Sequence, residues 1–205
     1  YGVTPSRLMD DMGMFSHGGG GFHCVWLNRE DQEIFRKRQL SVITCPGSNV
    51  KLASGIAPLT DYLEAGINVA IGTDGPASNN CLDMFREMFL ATGLQKIRTG
   101  DAAALDAIQV LRMATVGGAA AMGLTQSDCL AEGKWADLTI IDLSMPNMQP
   151  HNHLVKNLVY SGSKINVKMT MVAGRILYEN GEYFIGQEPE KIFEKANGVI
   201  RRMRR

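Results

Sequence analysis

Two short runs constrain this chain most: residues 41–44 (SVIT) and 67–71 (INVAI), nearly apolar along both faces and separated by a helix-sized stretch. A strand with no polar face is buried on both sides, and parallel neighbours need a long connection, which in practice is a helix. Residues 22–27 (FHCVWL) predict a third buried strand ahead of these two. Asn28 then caps a polar helix over 29–38, and a second crossover helix over 59–65 is closed by Gly66. Thr4-Pro5-Ser6 marks a helix start, with helix formers at 7–14, and the tetraglycine 18–21 and the stretch 45–49 (CPGSN) read as loops. Such alternation is α/β, a wound sheet or barrel. Beyond Leu82, Phe85, Met88 and Phe89 predict an apolar helical stripe, and 107–122 (AIQVLRMATVGGAAAM) a second long helix whose small residues allow close packing.

After Gly123 the texture changes. Residues 138–143 (LTIIDL), 167–172 (VKMTMV) and 175–178 (RILY) read as strands, with Ala173-Gly174 and Asn180-Gly181 as hairpin signals. This antiparallel pattern predicts a β-rich part beginning near Glu132-Gly133-Lys134, and 189–202 predict a terminal amphipathic helix. The expected organisation is therefore 1–131, 132–187 and 188–205.

Charge and cysteine usage remove several classes of function. Twenty-one basic residues balance twenty-one acidic ones, so no global field points to nucleic acid or to an anionic membrane surface. The one local excess, Arg201, Arg202, Arg204 and Arg205, reads as a solvated helix end. Cys24, Cys45, Cys81 and Cys129 are dispersed without a Cys-x-x-Cys pair, which argues against a zinc knuckle or a disulfide framework and for reduced thiols in the cytoplasm. No run is long and apolar enough for a membrane helix, and no charged-then-apolar leader opens the chain. The chain opens on Tyr1 with an element already in progress, so it is expected to be part of a longer polypeptide.

Two titratable side chains fall near the carboxyl ends of predicted strands, where parallel barrels carry their reactive groups: His23 on the first and Asp74, in GTDGPASNN, just past the third. A carboxylate there can bind a divalent ion and accept a proton from water, with an imidazole beside it to orient that water. Plainer readings stand next to these. Aspartate before glycine is a common turn former, a lone histidine in an apolar strand is commonly a core residue, and Ser48-Asn49 and Ser78-Asn79-Asn80 suit turns and caps.

The succession HCVWL (23–27), CPGSNVKLASGIAP (45–58), GTDGPASNN with LDMFREM (72–88) and EGKWADLTIIDL (132–143) resembles the carboxyl-terminal half of a metal-dependent amidohydrolase. Within that superfamily it is most similar to the methylthioadenosine/S-adenosylhomocysteine deaminase branch, related to guanine deaminases and triazine chlorohydrolases. The resemblance implies the distal part of a (β/α)8 barrel, with 22–27, 41–44 and 67–71 as strands six to eight, plus a share of a composite β-sandwich. It implies one divalent metal ion, Zn2+ or Fe2+, with Asp74 as its strand-eight ligand. It also implies His23 as the histidine beside the attacking water and substrate, and Ser78 as a substrate contact. The implied reaction is hydrolytic deamination of an adenosine-like heterocycle by water, in a homo-dimer or homo-tetramer. The family's first-strand His-x-His pair, its strand-five histidine and its proton-shuttling glutamate are not matched in these 205 residues. Activity is therefore expected of the complete polypeptide and not of this segment alone. The alternatives are a chlorohydrolase or guanine-deaminase-like enzyme, or a non-catalytic barrel remnant serving as a binding or assembly module.

Overall fold

A computed structural model describes residues 1–204. By internal contacts the chain forms two compact units, one of Tyr1–Cys129 with Ser144–Lys164, the other of Leu130–Leu143 with the residues from Ile165 onward. Residues 144–164, placed by the sequence in the β-rich part, group instead with the first unit.

The first unit is built on three parallel strands in the order β1 (Gly20–Phe22), β2 (Ser41–Thr44) and β3 (Asn68–Ile71). Ser41 pairs with both Gly20 and Asn68, and Ile43 with both Phe22 and Ala70, which sets the register across the sheet. The central strand is almost wholly buried, Val42 entirely so, as its apolar sequence requires. The first strand lies earlier than expected. Gly20 and Gly21 of the supposed loop form it, because a side chain at Gly20 would collide with the Ser41 carbonyl 2.3 Å away. His23 and Cys24 leave the ladder at positive φ (63° and 49°), so residues 23–27 are not a strand.

Helix α1 (Pro5–Asp11) begins where Thr4 and Pro5 direct it, and Thr4 also donates to Asp31 across 2.5 Å. Helix α2 (Arg29–Lys37) carries the expected Asn28 cap as a reciprocal box: Asn28 Oδ1 accepts from the Asp31 amide, and Asp31 Oδ2 from the Asn28 amide. Ile34 and Phe35 face the core. Residues 45–49, read as a loop, instead open helix α3 (Pro46–Lys51), with proline in its first turn. Helix α4 (Leu59–Glu64) leads through Gly66, at φ 74°, into β3. A short α5 (Pro76–Asn79) follows, then α6 (Met84–Thr99), capped by Asp83 and ended by Gly100 in the left-handed region.

Helix α6 departs from the apolar stripe expected of it. Its buried face is Glu87, Met88, Ala91, Thr92 and Gln95, while Phe89 is half exposed. The predicted 107–122 helix is two, α7 (Ala107–Ala114) and α8 (Val116–Ala121), broken at Thr115. The break seats Gly117 so close to β3 that a Cβ there would lie 2.4 Å from the Val69 carbonyl, which is the close packing the small residues foretold. Helix α9 (Leu154–Tyr160), absent from the sequence reading, packs with α6 and α7.

The second unit contains an antiparallel sheet, β4 (Leu138–Ile141), β5 (Val167–Val172), β6 (Arg175–Glu179) and β7 (Glu182–Tyr183), in that order. The Asn180-Gly181 turn makes the last hairpin as its sequence predicts, with Asn180 at φ 47° and Gly181 at 95°. Helix α10 (Pro189–Met203) is amphipathic and has no buried residue. No described helix is long and apolar enough to cross a membrane.

Candidate active site

The carboxyl ends of β1, β2 and β3 each deliver part of one cleft. Beyond β1, the His23 amide still donates to the Ile43 carbonyl (2.8 Å) before the chain turns off the sheet. Tyr62 of α4, fully buried, donates its hydroxyl to the Cys24 carbonyl at 2.5 Å and so pins that turn from below. Beyond β3, Gly72 extends the ladder by one bond to Thr44, and Asp74 then adopts φ 58°. Non-glycine residues in the left-handed region persist only where their surroundings hold them. Between the two, β2 runs directly into α3, whose first turn presents the buried Ser48 and Asn49.

These segments bring His23 and Asp74 together, with Nε2 and Oδ2 3.8 Å apart. Each is oriented by a neighbour on α3. Ser48 Oγ donates to Asp74 Oδ2 (2.7 Å), and Asn49 Oδ1 pairs with His23 Nδ1 (2.8 Å). The Gly75 amide donates to the other Asp74 oxygen at 2.7 Å. Because Asn49 offers an acceptor, Nδ1 carries a hydrogen, and Nε2 is turned toward the carboxylate. Two electron-rich atoms held this way accommodate a cation or a donated proton between them.

The hydroxyls of Ser48 and Ser78, then the Gly75 amide, hold the Asp74 carboxyl down to about 2, with a smaller contribution from His23. Ser78 is also engaged locally, donating to the Gly75 carbonyl at 3.0 Å. Beneath the pair, burial and then the Asp74 charge push the Cys45 thiol up to about 11. The cleft encloses about 360 Å³, the size of a small-molecule pocket, and Phe22, Val25, Trp26 and Leu52 give it an apolar wall.

Asp74 and His23 have the donor chemistry for a hard or borderline divalent ion, one carboxylate oxygen and one imidazole nitrogen converging. Among the described residues, however, no three His, Cys, Asp or Glu side chains are grouped to hold a metal. The pair therefore fits as one part of a ligand set and is too small to be a whole one.

The sequence singled out His23, Asp74 and Ser78 and left Ser48 and Asn49 as turn or cap residues; the structure shows what those two hold. It left out the support beneath them. Glu87, wholly buried on α6, accepts from the Gly47 amide through Oε2 (2.7 Å) and from Asn79 Nδ2 through Oε1 (2.8 Å). The signal for it was slight: a glutamate four residues after the Asp83 cap, in register with Ala91 on a helix face that must be buried.

Residues 4–177 match the amidohydrolase family. The chain is 45% identical over 196 residues to a 5'-deoxyadenosine deaminase of Methanosarcina acetivorans, covering 96% of this chain and 45% of that protein. It is 42% identical to a 5-methylthioadenosine/S-adenosylhomocysteine deaminase of Pelotomaculum thermopropionicum, with the same coverage. A crystal structure of an adenosine deaminase from Xanthomonas campestris with bound zinc superposes with a TM-score of 0.92 at 36% identity, over all of this chain and 46% of that one. The chain thus spans about half the length of the curated relatives it matches, and the α/β fold read from the sequence is that of the corresponding part of those proteins. With three strand ends converging on a His–Asp pair and a family match across most of its length, this chain belongs to the amidohydrolase family.

Proposed function

We propose that the full polypeptide bearing this chain is a metal-dependent hydrolytic deaminase of adenosine-like nucleosides, of the 5'-deoxyadenosine and methylthioadenosine/S-adenosylhomocysteine kind named for its relatives. The observation that carries the reading is the Asp74–His23 pair, 3.8 Å apart at the mouth of a cleft and oriented by Ser48 and Asn49. Zinc, present in the related adenosine deaminase, is the ion proposed. When bound, a divalent ion supplies the acidity that makes water a nucleophile near neutral pH.

This chain's own residues then have distinct tasks. Asp74 would help hold the ion through its carboxylate and, being ionised well below neutral pH, would be available to accept the proton that water gives up. His23, oriented by Asn49, presents Nε2 to the reacting centre; carrying a proton there, it would donate to the oxygen that develops charge. Ser78, whose hydroxyl also helps hold the Asp74 charge, is proposed as a substrate contact on the family resemblance alone. Phe22, Val25 and Trp26 supply apolar area for a flat heterocycle. The remaining ligands would come from residues outside this chain, so the isolated 205-residue segment is expected to be inactive.

The test is ammonia release by the full-length protein from 5'-deoxyadenosine, methylthioadenosine, S-adenosylhomocysteine, adenosine and guanine, assayed together. Activity on the adenosine-type substrates that a chelator removes, and that Asp74→Asn and His23→Gln each lower by about 100-fold or more, is the expected result. Chloride release from a chlorotriazine with no ammonia from any nucleoside would replace the deaminase reading with a chlorohydrolase one. No turnover of any of them would leave the non-catalytic module.

A further inference from the structure

We propose that Glu87, acting with Asn79, is a positioning residue of this site: its carboxyl group ties together the two segments that orient His23 and Asp74. The inference rests on the reading of the pair as reactive groups, and its geometry is independent of which substrate they serve. Oε2 accepts from the amide of Gly47, in the first turn of α3 and directly before Ser48 and Asn49. Oε1 accepts from Asn79 Nδ2, at the end of α5, and that same nitrogen donates to the carbonyl of Thr73 at 2.6 Å, directly before Asp74. One buried side chain from α6 thereby fixes the helix carrying the two orienting groups and the turn carrying the carboxylate.

Two features set this apart from ordinary core satisfaction. A carboxyl group is a costly thing to bury, and an apolar side chain of that length would fill the same space without the expense. Moreover, the contact leaves no slack: a Cβ at Gly47 would lie 2.3 Å from Glu87 Oε1 and 2.9 Å from Asn79 Nδ2. Only glycine lets the backbone come so near the carboxyl group. A shift of α3 moves Ser48 and Asn49 together, so both members of the pair lose their alignment at once.

Glu87→Gln in the full-length enzyme keeps the volume but sets an amide N–H against one of the two donors. Asn79→Asp removes the donor to Thr73 and opposes one acidic side chain with another. Val110→Ala, in the core on α7, is the matched control for lost stability. We expect Glu87→Gln and Asn79→Asp to lower kcat by about 10- to 100-fold with KM within about threefold, since misplacement of about 1 Å costs that much. Val110→Ala should leave kcat within about twofold at a temperature where all the proteins are folded. Bound metal, measured after timed dialysis against a chelator, should be lost several-fold faster from Glu87→Gln than from wild type or Val110→Ala. Equal kcat in Glu87→Gln and Val110→Ala overturns the proposal. Should the wild type deaminate nothing, the functional reading fails separately, and metal retention decides: faster loss from Glu87→Gln supports the positioning role, equal loss overturns it.

Discussion

Replacing Tyr62 by phenylalanine removes one oxygen and tests whether the turn after β1 is held from the core. The hydroxyl is fully buried and donates to the Cys24 carbonyl at 2.5 Å, and burial pushes the phenol well above its ordinary range, so it remains a donor at any accessible pH. Phenylalanine keeps the ring packing and leaves the carbonyl without that donor. Loss of a buried hydrogen bond, with one partner left unsatisfied, costs about 1–3 kcal/mol. At about 2 kcal/mol, the melting midpoint of a unit of roughly this size falls by about 4–8 °C, and that of a protein twice as long by roughly half as much. Because the freed carbonyl belongs to the residue after His23, the loss should not stop at stability. Released from its anchor, the pair of left-handed residues relaxes toward the common backbone regions, and His23 moves away from Asn49 and Asp74. Thermal unfolding and kcat of full-length Tyr62→Phe, compared with wild type, measure both effects. An unchanged midpoint would refute the hydrogen-bond argument, and a lowered midpoint with unchanged kcat in the folded protein would refute its link to His23.

Two further outcomes follow from the same geometry. Ser48 gives the largest single contribution to the low pKa of Asp74, by bonding its charged form; Ser48→Ala should therefore raise that pKa toward the ordinary carboxylate value, as an NMR pH titration of metal-free protein would show. A shift in the other direction would contradict the assignment. Burial first of all holds the Cys24 thiol up to about 12 and Cys45 up to about 11, whereas Cys129 is exposed. At pH 8 roughly one part in a thousand or less of either buried thiol is thiolate, so a thiol reagent should label Cys129 in native protein and reach Cys24 and Cys45 only on unfolding.

The parts of this molecule legible in the sequence are those where local chemistry decides. Asn28 with Asp31, Thr4 with Pro5, and Asn180 with Gly181 each make or end an element through contacts a few residues apart, and each does so as its residues predict. The apolar runs that became β2 and β3 were legible because burial on both faces leaves no polar alternation. What could not be read depends on partners far along the chain. Gly20 and Gly21 look like a linker until Ser41 is placed beside them, and residues 23–27 look like a strand because they are mostly apolar, with Val25 and Trp26 facing a cleft and Cys24 and Leu27 the core. The 45–49 segment reads as a loop from its proline and glycine; Glu87, forty residues away, is what receives the Gly47 amide. Asp74 and His23 stood out by position, but the groups orienting them, Ser48 and Asn49, are ordinary loop residues until three strand ends are brought side by side.

His23 and Asp74 leave strands that are not neighbours, since β2 lies between them. Adjacent strands are spaced by about 4.8 Å, so the two exit points are roughly 10 Å apart and the side chains reach over the end of β2 to meet. Whatever β2 places at its tip becomes the floor of the cleft, and here that floor is only Cys45, Pro46 and Gly47 thick before Ser48 begins to serve the pair. Depth and alignment are thus set by the same few residues. A related chain can widen or repaint the walls by changing Phe22, Val25 or Trp26 at little risk to the chemistry, whereas deepening the cleft means rebuilding the support on which the reactive groups stand. Divergence in this lineage should accordingly run sideways, through the loop after β1, while the tip of β2 stays small and still.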